Sequence, residues 1–374
     1  MSLANSTFVR MVQMYYGQLL SALRVAPASS YLAAASQVAD TGDEENRVLW
    51  PACMPGSKAS RVLLAALSSL ILFSACNRQS NTIALIPRAC GTVLWEPEHA
   101  GAAHVAKHKG MELYWNAPSR EDDVAGQIDL LEKVAARGYA GIIIAPDQTL
   151  PLRSPIRRLV SEGLPIVVVG TNLGIAPTAK LSYVLNDDVA GGQMAARRVG
   201  KVLGGQGSIA ILGINPQLTG ITARERSFED TLEREYPKIH VAARRLGYYS
   251  VPQEQQVAED ILNRGEAIDA IVALSHISTR GAYYALVEFH KTQAIKLVGF
   301  DQDLMPPIRT GGIDSVIMQS TYDMGRTAME VMDGQVHGRP VPGISVLPPV
   351  LMTRENIDSP EIRRQIMANW WASQ

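Results

Sequence analysis

From residue 81 onward, short runs of branched apolar residues alternate with longer stretches in which apolar residues recur every three or four positions. The short runs are typical of strands and the longer spacing is typical of helices. The predicted strands are Thr82–Pro87, Glu112–Trp115, Gly141–Ala145, Pro165–Gly170, Ser208–Leu212, His240–Leu246, Ala270–Leu274, Lys296–Phe300 and Ser315–Met318. The predicted helices are Val124–Arg137, Pro155–Glu162, Ala190–Leu203, Arg226–Tyr236, Gln255–Arg264, Thr279–His290 and Tyr322–Met332.

This order of elements predicts an α/β fold with parallel sheets. Strands that alternate with helices form βαβ units, and such units pair their strands in parallel. The strand runs are apolar throughout, as expected of strands that helices cover on both faces. About 300 residues follow Cys76, which is enough for two domains of ordinary size.

The region before residue 81 has the features of an export signal. The apolar run Val62–Phe73 is shorter than the roughly 20 residues that a membrane-spanning helix needs. Lys58 and Arg61 precede the run, and small residues ending in Cys76 follow it. A basic start, a short apolar core and a small-residue cleavage site are typical of a secretory signal peptide.

The closing cysteine makes this site resemble a bacterial lipobox, with Phe73 where Leu is usual. The prediction is a lipoprotein signal peptide over 54–76 and an acylated Cys76, with translation starting at Met54. Residues 1–53 would then be a mis-annotated extension. Two alternatives stay open for the amino-terminal region, a disordered cytoplasmic tail ahead of a signal anchor and a buried core helix.

Composition and charge exclude several classes of protein. The net charge is −1 and no basic stripe interleaved with aromatic residues is present, so nucleic-acid binding has no electrostatic support. Of the three cysteines, only Cys90 remains in the exported body after Cys76. No disulfide within that body and no cysteine-based metal site is therefore expected.

The histidines and carboxylates do not form a recognisable catalytic pattern. His104 and His108 are four residues apart, but no HExxH motif accompanies them, so they are expected on the surface of the first crossover helix. No nucleophile elbow and no carboxylates paired at a catalytic spacing are found. The chain is predicted not to be an enzyme and to need no cofactor or metal.

Several segments in order resemble the ribose-binding type of periplasmic sugar-binding protein, the substrate-binding component of ABC importers. The resemblance covers about 81–353. It includes Thr82–Ile86, Gly141–Pro146, Leu164–Val169, Asn186–Gly192, Arg224–Phe228, Val298–Asp301, Gly312–Gln319 and Met324-Gly325. The same fold occurs in lac-repressor-type regulators, but no helix-turn-helix precedes it here.

The family fold implies two doubly wound parallel-sheet lobes, joined by a three-crossing hinge, with the ligand between them. Lobe one would comprise 81–171 and 320–343, and lobe two 172–319 and 344–360. The crossings would lie near Gly170–Asn172, Gln319–Ser320 and Gly343–Leu347, and 361–374 would be a tail.

The resemblance also implies a function. The chain would capture a small sugar or sugar-like ligand in the periplasm or cell envelope and deliver it to an ABC permease in the inner membrane. It would be a monomer held to the membrane by the lipid on Cys76. The alternative is a sensory protein that presents the ligand to a membrane kinase or chemoreceptor.

Family positions also imply the ligand-binding residues. Trp95 and Leu94 follow the first strand, where the family has stacking aromatic residues, and Arg224 begins a pattern like R-x-x-G-F with Ser227 in place of Gly. Asp301 and Gln319 match a hydroxyl-accepting carboxylate and an amide at a crossing. Further candidates are Thr92, Asp147, Gln148, Tyr249 and Ser275.

Structural alternatives remain for several of these residues. Trp95 could pack against a neighbouring helix, Arg224 could be a solvated residue at a helix start with Arg226 in its place, and Asp301 could cap a helix. Tyr248 and Tyr249 could be core residues. Because the family's polar residues are replaced at Thr92, Gln148 and Ser275, the pocket is expected to be less acidic than a typical pentose or hexose pocket.

We predict that Cys76→Ser abolishes lipidation, because the thiol is the only acylation point that a lipobox offers. Fractionation and radiolabelled palmitate should show a lipoprotein for the wild type and an unprocessed or soluble exported protein for the variant. Persistent palmitate in Cys76→Ser would contradict the assignment.

Overall fold

The computed structural model describes residues 81–90, 92, 94–265 and 267–366. All of them fall in one compact unit, Cys76–Gln374. The predictions for 1–53, for the signal peptide 54–76 and for acylation of Cys76 lie outside the described residues, as do positions 367–374 of the predicted tail.

The predicted alternation of strands and helices is present. The strands are β1 (Thr82–Ile86), β2 (Glu112–Trp115), β3 (Gly141–Ile144), β4 (Ile166–Val169), β5 (Leu181–Asn186), β6 (Gln206–Ile214), β7 (Lys238–Leu246), β8 (Ala270–Ala273), β9 (Lys296–Phe300), β10 (Ser315–Met318), β11 (Ile344–Leu347) and β12 (Val350–Thr353). The helices are α1 (Glu96–His108), α2 (Val124–Ala136), α3 (Thr149–Ser161), α4 (Asp188–Val202), α5 (Thr219–Glu235), α6 (Val251–Asn263), α7 (His276–Glu288), α8 (Met305–Thr310), α9 (Thr321–Val336) and α10 (Pro360–Gln365).

Within the described residues the strands form two six-stranded sheets, one in each lobe. The sheet of lobe one has the order β11-β5-β4-β3-β1-β2 and that of lobe two the order β12-β10-β9-β8-β6-β7. All pairings are parallel except that of β12 with β10. The predicted fold class, two doubly wound parallel-sheet lobes, is confirmed.

Each sheet is buried on both faces, which explains why its strands are apolar throughout. In β3, Ile142, Ile143 and Ile144 are all 0% exposed. Ile143 packs with residues of α1 and α9, whereas Ile142 and Ile144 pack with residues of α2 and α3. Successive side chains of a strand point to opposite faces, so a strand between two helical layers needs apolar residues at every position.

The lobe boundaries differ from the prediction at two crossings. Strand β5 pairs with β4, and β11 pairs with β5, so both belong to lobe one and not to lobe two. The chain therefore crosses near Asn186–Asp187, at Gln319–Ser320 as predicted, and at Pro348-Pro349. Gly170 ends β4 with a φ of 69°, but the chain then turns back and adds β5.

The predicted tail begins as part of the folded chain. Pro360–Gln365 forms α10, whose Ile362 is fully buried in the core of lobe two. Gln365 donates a hydrogen bond from Nε2 to Oδ2 of Asp323 in α9, at 2.5 Å. Helix α10 thus contacts elements of both lobes.

Helices α1 and α9 approach each other so closely that glycine is required at the contact. A Cβ on Gly101 would lie 2.0 Å from the carbonyl oxygen of Tyr322. A Cβ on Gly325 would lie closer still to the carbonyl oxygen of Glu98. This contact positions the start of α1, where Trp95 lies.

We predict that Gly325→Ala lowers the free energy of unfolding by about 1–3 kcal/mol, because a backbone carbonyl must move to admit the methyl group. The direction of the change in stability is informative, because replacing Gly by Ala within an exposed helix stabilises it by up to about 1 kcal/mol. Urea unfolding measures the change. Glu330→Ala, on the exposed side of α9, is the control and should stay within about 0.5 kcal/mol of the wild type. A stabilised Gly325→Ala would contradict the close packing.

Candidate functional site

The carboxyl ends of strands from both sheets meet at one cavity of about 50 Å³. In open α/β sheets this edge is where ligands bind, because the connections diverge there and leave a crevice. Lobe one contributes residues that follow β1, β2, β4 and β5, and lobe two contributes residues that follow β6, β7, β8, β9 and β10. The charged and amide side chains among them are Arg88, Glu121, Asn186, Asp188, Asn215, Arg224, Glu254, His276, Asp301 and Gln319.

A buried guanidinium is the centre of the lobe-two wall. Arg224 is 5% exposed, and its Nε donates to Oδ1 of Asp188 at 2.7 Å. Its Nη1 donates to the carbonyl oxygen of Leu274 at 2.9 Å and lies 3.3 Å from Oδ1 of Asp301. The guanidinium also lies 4.7 Å from the ring centroid of Phe300. Burial raises the pKa of Asp188, and the charge of Arg224 opposes that rise.

Asp301 connects this cluster to lobe one through two amides. Its Oδ1 accepts from Nε2 of Gln319 at 2.5 Å. Oε1 of Gln319 in turn accepts from Nδ2 of Asn186, the last residue of β5, at 2.6 Å. Asp301 adopts a φ of 62°, a left-handed conformation that Asp tolerates better than most residues. A hydrogen-bonded chain therefore runs between the two lobes.

The lobe-one wall is built around Trp95, which is 2% exposed. Its Nε1 donates to Oε1 of Glu121 at 3.0 Å, and the Arg88 guanidinium lies 5.6 Å from its ring centroid. Oε1 of Glu121 also lies 3.5 Å from Nε2 of His276, which belongs to lobe two. Arg88 donates from Nε to the carbonyl oxygen of Pro146 and from Nη2 to Oγ1 of Thr171, each at 3.0 Å.

The structure brings together seven of the predicted ligand-binding residues at the cavity, namely Leu94, Trp95, Arg224, Tyr249, Ser275, Asp301 and Gln319. Several alternatives considered from the sequence are wrong. Arg226 is exposed, and Arg224 is buried within α5, which begins at Thr219. Asp301 is not a helix cap, since the N-cap of α8 is Leu304. Ser275 does cap α7, where its Oγ accepts from the Ser278 N–H at 3.2 Å.

Three predicted residues are not among those that line the cavity. Thr92 accepts from the Trp95 and Glu96 N–H groups in the turn before α1. Gln148 is the N-cap residue of α3. Asp147 is fully buried, and this burial raises its pKa to about 7, with Arg88 opposing the rise and Glu121 adding to it. These three residues therefore lie outside the lining of the cavity.

Four carboxylates contribute to the wall of the cavity. Glu121, Asp188, Glu254 and Asp301 all line the cavity, and only Asp301 was expected there from the sequence. Arg88 follows β1 directly, so its position after a predicted strand was a usable signal. Asp188 lies in a segment that carries the family resemblance. Glu254, in the first turn of α6, has no sequence signal that separates it from the surface carboxylates nearby.

The described residues contain neither a cluster of metal-ligating side chains nor a membrane-spanning helix. No group of three or more His, Cys, Asp or Glu side chains there is arranged to hold a metal ion. His104 and His108 lie on α1 with their ring centroids 4.5 Å apart, and Nδ1 of His108 lies 2.7 Å from the carbonyl oxygen of His104. None of the helices in this part of the chain combines the length and apolar character that a membrane span needs.

Comparisons with known proteins agree with this fold. A family model described as a periplasmic binding protein domain matches residues 83–340. The D-allose-binding periplasmic protein of Escherichia coli K12 is 23% identical over 268 residues, which cover 69% of this chain and 86% of that protein. The ribose import binding protein RbsB of Bacillus subtilis 168 is 23% identical over 301 residues, 76% of this chain and 95% of that protein.

The same fold occurs in solved structures. A carbohydrate transporter solute-binding protein from Agrobacterium radiobacter, in complex with D-arabinose, superposes with a TM-score of 0.72 at 23% identity. The match covers 78% of this chain and all of that one. A solute-binding protein from Agrobacterium vitis bound to α-D-tagatopyranose gives 0.71 at 22% identity, over 76% of this chain and 98% of that one.

We predict that Arg224→Ala destabilises the protein by about 3–5 kcal/mol near neutral pH, because the change leaves Asp188 and Asp301 buried without their cation. The pKa of Asp188, which burial already raises against the opposing charge of Arg224, should rise further in the folded variant. The folded variant then binds more protons than the unfolded chain, so its stability falls as the pH rises from about 4 to 7.

Urea unfolding of Arg224→Ala at several pH values measures this loss of stability. Arg226→Ala is the matched control, since Arg226 is exposed two residues further along the same helix, and it should stay near the wild type at every pH. A loss of stability in Arg224→Ala that does not change with pH would contradict the pairing of Arg224 with buried carboxylates.

Proposed function

We propose that this chain, which belongs to the periplasmic binding protein family, captures a small sugar or sugar-like ligand between its lobes and delivers it to an ABC importer. The observation that carries the proposal is the interlobe cavity, where Arg224, Asp301, Gln319 and Asn186 form one hydrogen-bonded chain. The relatives reported above are named as binding proteins for allose and ribose.

The chemistry of the cavity suits a polyhydroxylated ligand. A sugar hydroxyl both donates and accepts, so it needs carboxylates, guanidinium groups and amides within reach. Asp301, Arg224 and Gln319 supply all three. Trp95 and Tyr249 add apolar surface for the C–H face of a sugar ring, although the indole already bonds to Glu121 and contacts Arg88.

The arrangement of the lobes supports capture by closure. Asn186, Gln319 and the Pro348-Pro349 pair lie at or beside the three crossings, and rotation about such crossings opens and closes a cleft. A permease can distinguish closed from open lobes, which would make closure the signal of occupancy. We assign the protein to the outside of the cytoplasmic membrane, as a monomeric lipoprotein anchored through Cys76, and we assign it no catalytic role.

A thermal-shift screen against monosaccharides and polyols tests the proposal, because a ligand that binds only the folded state raises the melting temperature. Calorimetry on Asp301→Asn should then show binding weakened by roughly tenfold to a hundredfold, since a charged acceptor is worth about 1.5–3 kcal/mol. Asn also tolerates the left-handed backbone at this position.

The control is Asp260→Asn, which removes the same charge from an exposed position on α6 and should bind like the wild type. Trp95→Ala should weaken binding less than Asp301→Asn does. Wild-type affinity in a folded Asp301→Asn would show that the ligand is held elsewhere, and a screen with no shift for any sugar or polyol would contradict the function.

A further inference from the structure

Glu254 has an unusual environment at the lobe-two end of the cavity. The residue lines the cavity and is 1% exposed. Its Oε1 accepts from the Tyr248 N–H at 2.6 Å. Its Oε2 is buried and has no hydrogen-bond partner among the described residues. A carboxylate that is removed from water and only half satisfied destabilises the fold unless something else binds it.

Two glycines, Gly247 and Gly281, make room for this residue. Gly213 and Gly247 also line the cavity. A Cβ on Gly247 would lie 3.0 Å from Oε1 of Glu254 and 2.7 Å from Cα of Gly213. A Cβ on Gly281, in α7, would lie 2.5 Å from Cβ of Glu254. The surrounding backbone thus accommodates the carboxyl group at the cavity wall, which argues that its position is a built feature.

Among the described residues, no lysine, arginine or histidine forms an ion pair with Glu254. Burial raises the pKa of this carboxyl to about 7, and the Tyr248 N–H is the group that opposes the rise. The arginines of the cavity already bind other groups. Arg224 pairs with Asp188 and Asp301. Arg88 donates hydrogen bonds to the carbonyl oxygen of Pro146 and to Oγ1 of Thr171.

The cavity as a whole also has an excess of negatively charged side chains. Among the lining residues that the structure describes, four carboxylates, Glu121, Asp188, Glu254 and Asp301, face two arginines. His276 is the remaining titratable nitrogen group there, and it lies beside Glu121. A ligand that carries one positive charge would reduce this excess.

We propose that the ligand is an amino sugar or aminated polyol, and that Glu254 binds its ammonium group. This inference rests on the proposed function and narrows its substrate class. The hydroxyl-bearing part of the ligand contacts Arg224, Asp301 and Gln319, and the amine occupies the end of the cavity beside Tyr248 and Gly247. Pairing with Oε2 satisfies the carboxylate oxygen that the protein leaves without a partner.

Calorimetry with matched ligand pairs tests the inference at about pH 7, below the usual pKa of an α-amino group. The pairs are D-glucosamine with D-glucose, D-galactosamine with D-galactose, and an aminodeoxyinositol with myo-inositol. For at least one pair the wild type should bind the amine roughly tenfold to a hundredfold more tightly than the neutral parent, as expected of a charge-assisted hydrogen bond.

Glu254→Gln, which keeps the shape and removes the charge, should lose this preference and still bind the neutral parent. The control Asp260→Asn should keep the preference. Glu254→Asp, which keeps the charge on a shorter side chain, should keep part of it and serves as a second variant if Glu254→Gln does not fold.

The outcomes separate the two proposals. Neutral sugars that bind the wild type as tightly as their amines do would overturn the amine assignment and leave the sugar-binding function standing. An amine preference that survives in folded Glu254→Gln would also overturn it. The absence of binding by every sugar, polyol and amine would overturn the proposed function, and this inference with it.

Discussion

The buried ion cluster of Arg224, Asp188 and Asp301 constrains the whole cleft. A guanidinium that is 5% exposed is tolerated only when carboxylates and carbonyl groups replace the water it has lost. Those partners come from the start of α4, the end of β8 and the end of β9. Helix α5 also packs on α4 so closely that a Cβ on Gly192 would lie 2.2 Å from the Arg224 carbonyl oxygen. The strand ends of lobe two are therefore held in one arrangement.

The same cluster extends across the interface between the lobes. Asp301 binds Gln319 and Gln319 binds Asn186, and Nε2 of Gln302 donates to Oγ1 of Thr321 at 2.8 Å, just beyond a crossing. Farther out, Oγ1 of Thr149 donates to the carbonyl oxygen of Gln217 at 3.1 Å. Because polar contacts of this kind are exchanged readily for water or ligand, they set the relative position of the lobes without fixing it as an apolar interface would.

The sequence was sufficient for the fold and for the strands with strong apolar runs, because a strand covered on both faces must be apolar at every position. It was insufficient for β5, which contains Ser182 and Asn186, and for β11, whose Ile344 and Val346 are exposed. Polar residues interrupt the apolar run of β5, and β11 lies at the edge of the first sheet, where alternate side chains face solvent. Because these two strands were not predicted, the first and third crossings were placed before β5 and at β11 instead of after these strands.

The residues of the candidate site also differ in how well the sequence predicts them. Asp301 and Gln319 each follow a strong strand, so their place at the strand ends could be inferred from position alone. Glu254 lies on a helix, and whether a helical carboxylate faces solvent or a cavity depends on how the helix packs against distant glycines such as Gly247 and Gly281. That packing is a property of the three-dimensional structure. Residues of this kind are where proteins of one fold can differ, because function depends on the individual site and not on the fold.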